Sequence, residues 1–111
     1  MDITKTQFNG REEYLAWRSA WRAAYAALTN QIRDIKFARH HSTVRLKTAT
    51  EGVRARVAQI YSSDTVRRYG GADGACWELR GQARAMLFVR KASKIEAQRQ
   101  YQERKAQTAV A

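Results

Sequence analysis

Apolar residues recur at Tyr14, Trp17, Trp21, Tyr25, Leu28, Ile32 and Ile35, in steps of three and four residues. That spacing is the period of an α-helix and predicts one helix over about residues 10–40, roughly 45 Å long. Asn9 followed by Glu12 predicts its start as a capping box. Over His40 to Tyr69 the pattern weakens. Ser42 to Thr48 alternates briefly and reads equally as an extended segment or as the start of a helix. Thr48 and Glu51 form a second capping-box pair, and Val53, Val57 and Ile60 continue at helical spacing. Ser62-Ser63-Asp64 reads as a break, Thr65 to Tyr69 as a short helix, and Gly70 to Gly74 as a turn. From about Asp73 to Lys105 strong helix formers dominate and only Gly81 interrupts, which predicts a second long helix with fraying over Thr108 to Ala111.

Projected on a helical wheel, the first helix has three zones. The aromatic and aliphatic stripe named above is the expected core. Arg11, Arg18, Arg22, Arg33 and Lys36 form a ridge beside it, whose stems can cover the edge of the stripe or whose heads can straddle a phosphate backbone. Ala16, Ala20, Ala23, Ala27 and Ala38 make a smooth opposite face. The last helix is apolar on two sides. Leu79, Ala83, Met86 and Leu87 lie on one, and Trp77, Phe88, Ala92 and Ile95 on the other. Arg80, Arg84 and Lys91 divide them. Two apolar sides require two partners. The first helix, running antiparallel, is one. The other is the middle segment folding over, a second copy of the chain, or a foreign protein. The expected fold is all-α: one helical domain over residues 1–111, with two long antiparallel helices and one or two short helices between them.

Composition sharpens this picture. The 111 residues include 19 Ala but only 19 Leu, Ile, Val and Phe together, so any core is thin. Three Trp and five Tyr supply the bulk that a disordered chain would lack. Met1 to Glu13 has no apolar run, which argues against a secretory signal, and no run approaches a membrane span. A single Cys excludes a disulfide framework and suits a reducing compartment, so a cytoplasmic location is expected. The thin core and the two-sided last helix together make a homodimer or a partner-bound state an expectation.

The charge is the strongest global signal. Lys and Arg number 21 against 10 acids, a net of +11, and 15 of the 21 are Arg. Guanidinium groups pair bidentately with phosphate and stack on planar groups, so the excess suits nucleic acid or an acidic protein surface. No acid lies between Leu79 and Ile95. Arg80, Arg84 and Lys91 on one ridge, with Lys94 on its shoulder, are the expected phosphate contacts, joined by Arg67 and Arg68. Catalytic chemistry has no legible residue set. Asp34 and Asp64 are isolated, Cys76 has no partner, and His40-His41 lacks further ligand types nearby. Gly70-Gly71-x-x-Gly74 has the wrong spacing for a phosphate loop. No enzyme, cofactor or metal is expected.

Two strings carry resemblances. Ser62-Ser63-Asp64-Thr65-Val66-Arg67-Arg68-Tyr69 resembles the start of a helix-turn-helix recognition helix. The resemblance implies Thr65, Arg67 and Arg68 reaching phosphates and base edges in the major groove. The turn is about two residues short of that motif and lacks its usual Gly. More broadly, Glu13-Tyr14-Leu15-Ala16-Trp17-Arg18 with Trp21-Arg22, and Ala83-Arg84-Ala85-Met86-Leu87 with Arg90-Lys91-Ala92-Ser93-Lys94, are similar to the first and last helices of small proteins encoded by phages and prophages. That likeness implies a host-cell cytoplasm and an accessory role, and it names no activity. Nucleic-acid binding through an Arg-rich helical surface is the leading expectation. A non-enzymatic module docking on a host or phage complex, as an inhibitor for instance, is the alternative.

Overall fold

The computed structural model describes residues 1–41 and 43–110, and every regular element among them is an α-helix. The elements are α1 (Arg11–His40), α2 (Thr43–Thr48), α3 (Glu51–Tyr61), α4 (Asp64–Arg68) and α5 (Ala72–Val110). Three short helices therefore stand between the long ones, one more than expected. The ambiguous stretch after His40 is helical over Thr43–Thr48 and buries nothing there, while Ser42 and Ala111 lie outside the described residues. The last helix continues to Val110 rather than ending near Lys105. No helix among the described residues is long and apolar enough to cross a membrane.

Both predicted capping boxes are displaced. Helix α1 begins one residue late: Gly10 supplies the first helical carbonyl, to Tyr14 N–H, and Glu13 rather than Glu12 reaches back to accept from Asn9 N–H at 3.0 Å. Gly10 has φ +151°, a conformation that side-chain-bearing residues avoid. Helix α3 is capped by Thr50, whose hydroxyl accepts from Val53 N–H, and not by Thr48, whose hydroxyl donates to Arg45 O within α2. Ser63 caps α4 in the same way, accepting from Val66 N–H.

The chain divides into two compact units, residues 1–26 with 84–111 and residues 27–83. In the first, Phe8, Trp17 and Trp21 are buried, with Ile3, Tyr14, Tyr25, Met86 and Val89 packed against them. The rings form a continuous series: Phe8 meets Tyr14 edge-on at 5.3 Å, Tyr14 stacks on Trp17 at 5.9 Å, and Trp21 stacks on Tyr25 at 4.8 Å. Such pairs add stability beyond the area they bury. Polar ties fix the N-terminal segment to this core. Trp17 Nε1–H donates to Ile3 O, Ser93 Oγ–H to Lys5 O, and Gln100 Nε2–H to Phe8 O. Trp21 Nε1–H donates to Met86 O across to α5.

In the second unit the core is made of smaller side chains: Leu28, Ile35, Ala38, Val57, Val66, Ala72, Ala75, Cys76 and Leu79. Ala38, expected on the smooth outer face of α1, is fully buried there. The turn into α5 depends on glycine. Gly70 and Gly71 have positive φ, and a Cβ at Gly74 would stand 2.2 Å from Tyr69 O.

The second apolar side of α5 is exposed. Trp77 and Phe88 are each 75% exposed and Ile95 is 59% exposed.

Candidate functional site

The site is built from one face of α1 and one face of α5 in the first unit. On α1, Arg11, Arg18 and Arg22 recur at steps of seven and four and so fall on one line, with Tyr14 and Leu15 beside them. On α5, Arg90, Lys94, Ala97, Tyr101 and Arg104 recur at steps of four and three. These two lines form the walls of one groove. Its wider part, about 250 Å³, is lined by Arg11, Tyr14, Leu15, Arg18, Lys94 and Tyr101, with Arg104 and small Ala97 and Gly10. Its narrow continuation, about 60 Å³, is lined by Trp17, Trp21, Arg22 and Arg90, and shares Tyr14, Arg18 and Lys94 with the wider part.

Six cations therefore converge on one groove: Arg11, Arg18, Arg22, Arg90, Lys94 and Arg104. Among the described residues no carboxylate lines either part and none of the six forms a salt bridge. Three nearby carboxylates are engaged elsewhere. Glu13 pairs with Lys5. Glu103, in a small recess next to Arg104, pairs with Arg99, as does Glu96. The Arg99 guanidinium hydrogen-bonds the Glu96 carboxylate and holds its pKa below the ordinary carboxylate value. The Arg90 guanidinium is itself positioned, with its carbon 5.1 Å from the centroid of the Trp21 ring. Cations gathered along one groove repel one another, so the groove is attractive to an extended anion.

A cleft in the other unit is a contrast. It holds about 390 Å³ between Gln31, Asp34, Ile35, Arg56, Ile60 and Thr65, among others. Its only opposite charges, Asp34 and Arg56, are paired at 2.9 Å, and Arg56 lies over the Phe37 ring at 3.9 Å. It presents no net charge to a ligand.

Of the expected contacts, Lys94 lines the groove. Arg84 and Lys91 are exposed on α5 but belong to the face that carries Phe88 and Ile95. Arg67, Arg68 and Arg80 are exposed in the other unit, where Arg67 is paired with Asp64 at 2.9 Å. Arg90, Arg104 and Tyr101 were not among the expected contacts. Their signal was the four-and-three spacing on α5 from Arg90 through Lys94 and on past Ile95. His41 Nδ1 lies 2.8 Å from Phe37 O, and the Arg45 guanidinium lies against His40. Comparison with protein-family models, curated proteins and solved structures yields no match.

Proposed function

We propose that this protein is a small non-enzymatic nucleic-acid-binding protein of the cytoplasm, in keeping with the phage-like resemblance of its long helices. It grips the phosphate backbone in the groove between α1 and α5. One observation carries the reading: six cations line a single groove that no carboxylate enters. In this reading the groove segments of the two long helices run antiparallel. The support is that Trp21 is tied to Met86, and Phe8, before the start of α1, is tied to Gln100 further along α5. Arg84 and Lys91 then serve as outlying contacts rather than the centre of the interface.

The experiment is a salt titration. Each phosphate neutralised contributes about 0.7 to the slope of log affinity against log salt on single strands and about 0.9 on duplex. Changing Arg18, Arg22 and Lys94 together to Gln preserves helix propensity. It should weaken binding to every sequence tested and flatten the slope by roughly two units. A wild-type protein that binds neither strand form at low salt overturns the reading.

A second reading has its own observation. Phe88 and Ile95 are exposed on α5, flanked by Arg84 and Lys91. Such a face fits a protein partner with an acidic rim. A stoichiometric protein that stays bound after nuclease treatment, and is lost when Phe88 and Ile95 are changed to Ser, favours this docking module. Partners that vanish with nuclease favour nucleic acid.

A further inference from the structure

We infer that the groove takes a single strand and seats one base in its wider part, against Tyr101 and Tyr14. The inference rests on the phosphate-binding reading and names its substrate class. Three observations carry it. First, the wider part is a cleft with phenol walls rather than a flat charged face: Tyr101 is half exposed, Tyr14 is half buried, and Leu15 closes one side. In a duplex the faces of the bases are stacked on one another, and only an unpaired base offers its face to a ring. Second, the cleft of about 250 Å³ falls just below the roughly 300–1,000 Å³ of drug-sized ligand sites, which suits one planar base with its sugar. Third, the cations do not stop at the cleft. They run on from Arg11 to Arg22 along α1, about 16 Å, and from Arg90 to Arg104 along α5, about 21 Å. A mononucleotide uses only part of such a line; a backbone of several phosphates uses all of it.

Tyr14 is also tied into the core by Phe8 and Trp17, so Tyr101 is the residue to change. It sits on an exposed part of α5, and its replacement leaves the core intact. The probes are a fluorescently labelled 15-mer of thymidylate, an abasic strand of the same length and charge, and a 15-base-pair duplex. The thymidylate strand should bind at least tenfold more tightly than the abasic strand. Tyr101→Ala should lower thymidylate affinity about tenfold, the worth of one stacked base. It should leave the abasic strand unchanged, and Tyr101→Phe should bind as the wild type does.

If the abasic strand binds as well as thymidylate and Tyr101→Ala is silent, the base-seating inference falls and phosphate binding stands. If thymidine monophosphate displaces the strand at comparable concentration, the cleft is a mononucleotide site and the inference falls. Poly-glutamate displacing the strand at equal charge concentration shows a groove that reads charge alone, and also overturns it. If no probe binds at low salt, both readings fall together.

Discussion

Trp21 shows how much one residue carries in so small a core. It is 3% exposed, stacks on Tyr25, donates to Met86 O and supports Arg90 on its face. Trp21→Ala should cost about 3–5 kcal/mol in denaturant unfolding. A variant that keeps its unfolding midpoint but loses strand binding would show that the ring serves the groove and not the fold. Ser93 is the polar counterpart. It is completely buried and its hydroxyl holds Lys5 O at 2.9 Å. Ser93→Ala removes that donor and leaves a carbonyl poorly satisfied. We expect a loss of about 1–3 kcal/mol, read in the same experiment. Ser93 also explains why the N-terminal segment was illegible as part of the core. Its contacts run through backbone carbonyls, which no side-chain pattern reveals. The one available signal was Phe8, an aromatic just ahead of the helix start and within reach of Tyr14, much as in a hydrophobic staple.

At the scale of elements, glycine in α5 gives a paired test. Gly81 and Gly74 both lie inside the helix. A Cβ at Gly81 meets nothing within 4 Å, whereas one at Gly74 meets Tyr69 O at 2.2 Å. Gly81→Ala should therefore stabilise by about 0.5–1 kcal/mol through helix propensity. Gly74→Ala should destabilise despite the same propensity, because the backbone of the preceding turn must move. Thermal melts of the two variants should shift in opposite directions, and a common direction would refute the close approach. Helix α1 was legible because its inward face is apolar at unbroken three-and-four steps. Helix α5 was legible as a helix but not in its facing. Its inward line passes from Leu79, Met86 and Val89 to Ser93 and Gln100, where the demand is for hydrogen-bond donors. Its outward line keeps Trp77, Phe88 and Ile95. A hydrophobic wheel therefore ranks the wrong side as highly as the right one. The caps were misplaced by one or two residues because more than one Ser, Thr or Glu stands at each start. Backbone geometry, not residue type, chooses among them.

For the whole molecule, net charge does not choose the interface. Residues 1–26 with 84–111 hold eleven cations and five acids, and residues 27–83 hold ten and five. What differs is how the charges are arranged. In residues 27–83, Asp34, Asp64 and Asp73 each occupy an Arg. In the other unit, Arg99 draws two carboxylates to itself and Lys5 a third, and among the described residues no carboxylate lines the groove. This sets the groove against the ridge of Arg80, Arg84 and Lys91 as the centre of phosphate binding, and the two make different predictions. Under the proposed reading, ridge cations would each meet a phosphate singly from one helix face, screened by salt. Groove cations would, under the same reading, act together on one strand from two walls, and Arg90 is already held by Trp21. Replacing Arg80, Arg84 and Lys91 with Gln should thus flatten the salt slope on a 15-mer by no more than about one unit, against roughly two for Arg18, Arg22 and Lys94. The two triple variants carry equal charge changes, so any general effect of net charge cancels between them. A ridge variant that loses as much slope as the groove variant, or more, would move the interface to the outer face of α5 and leave the groove as a feature of packing alone.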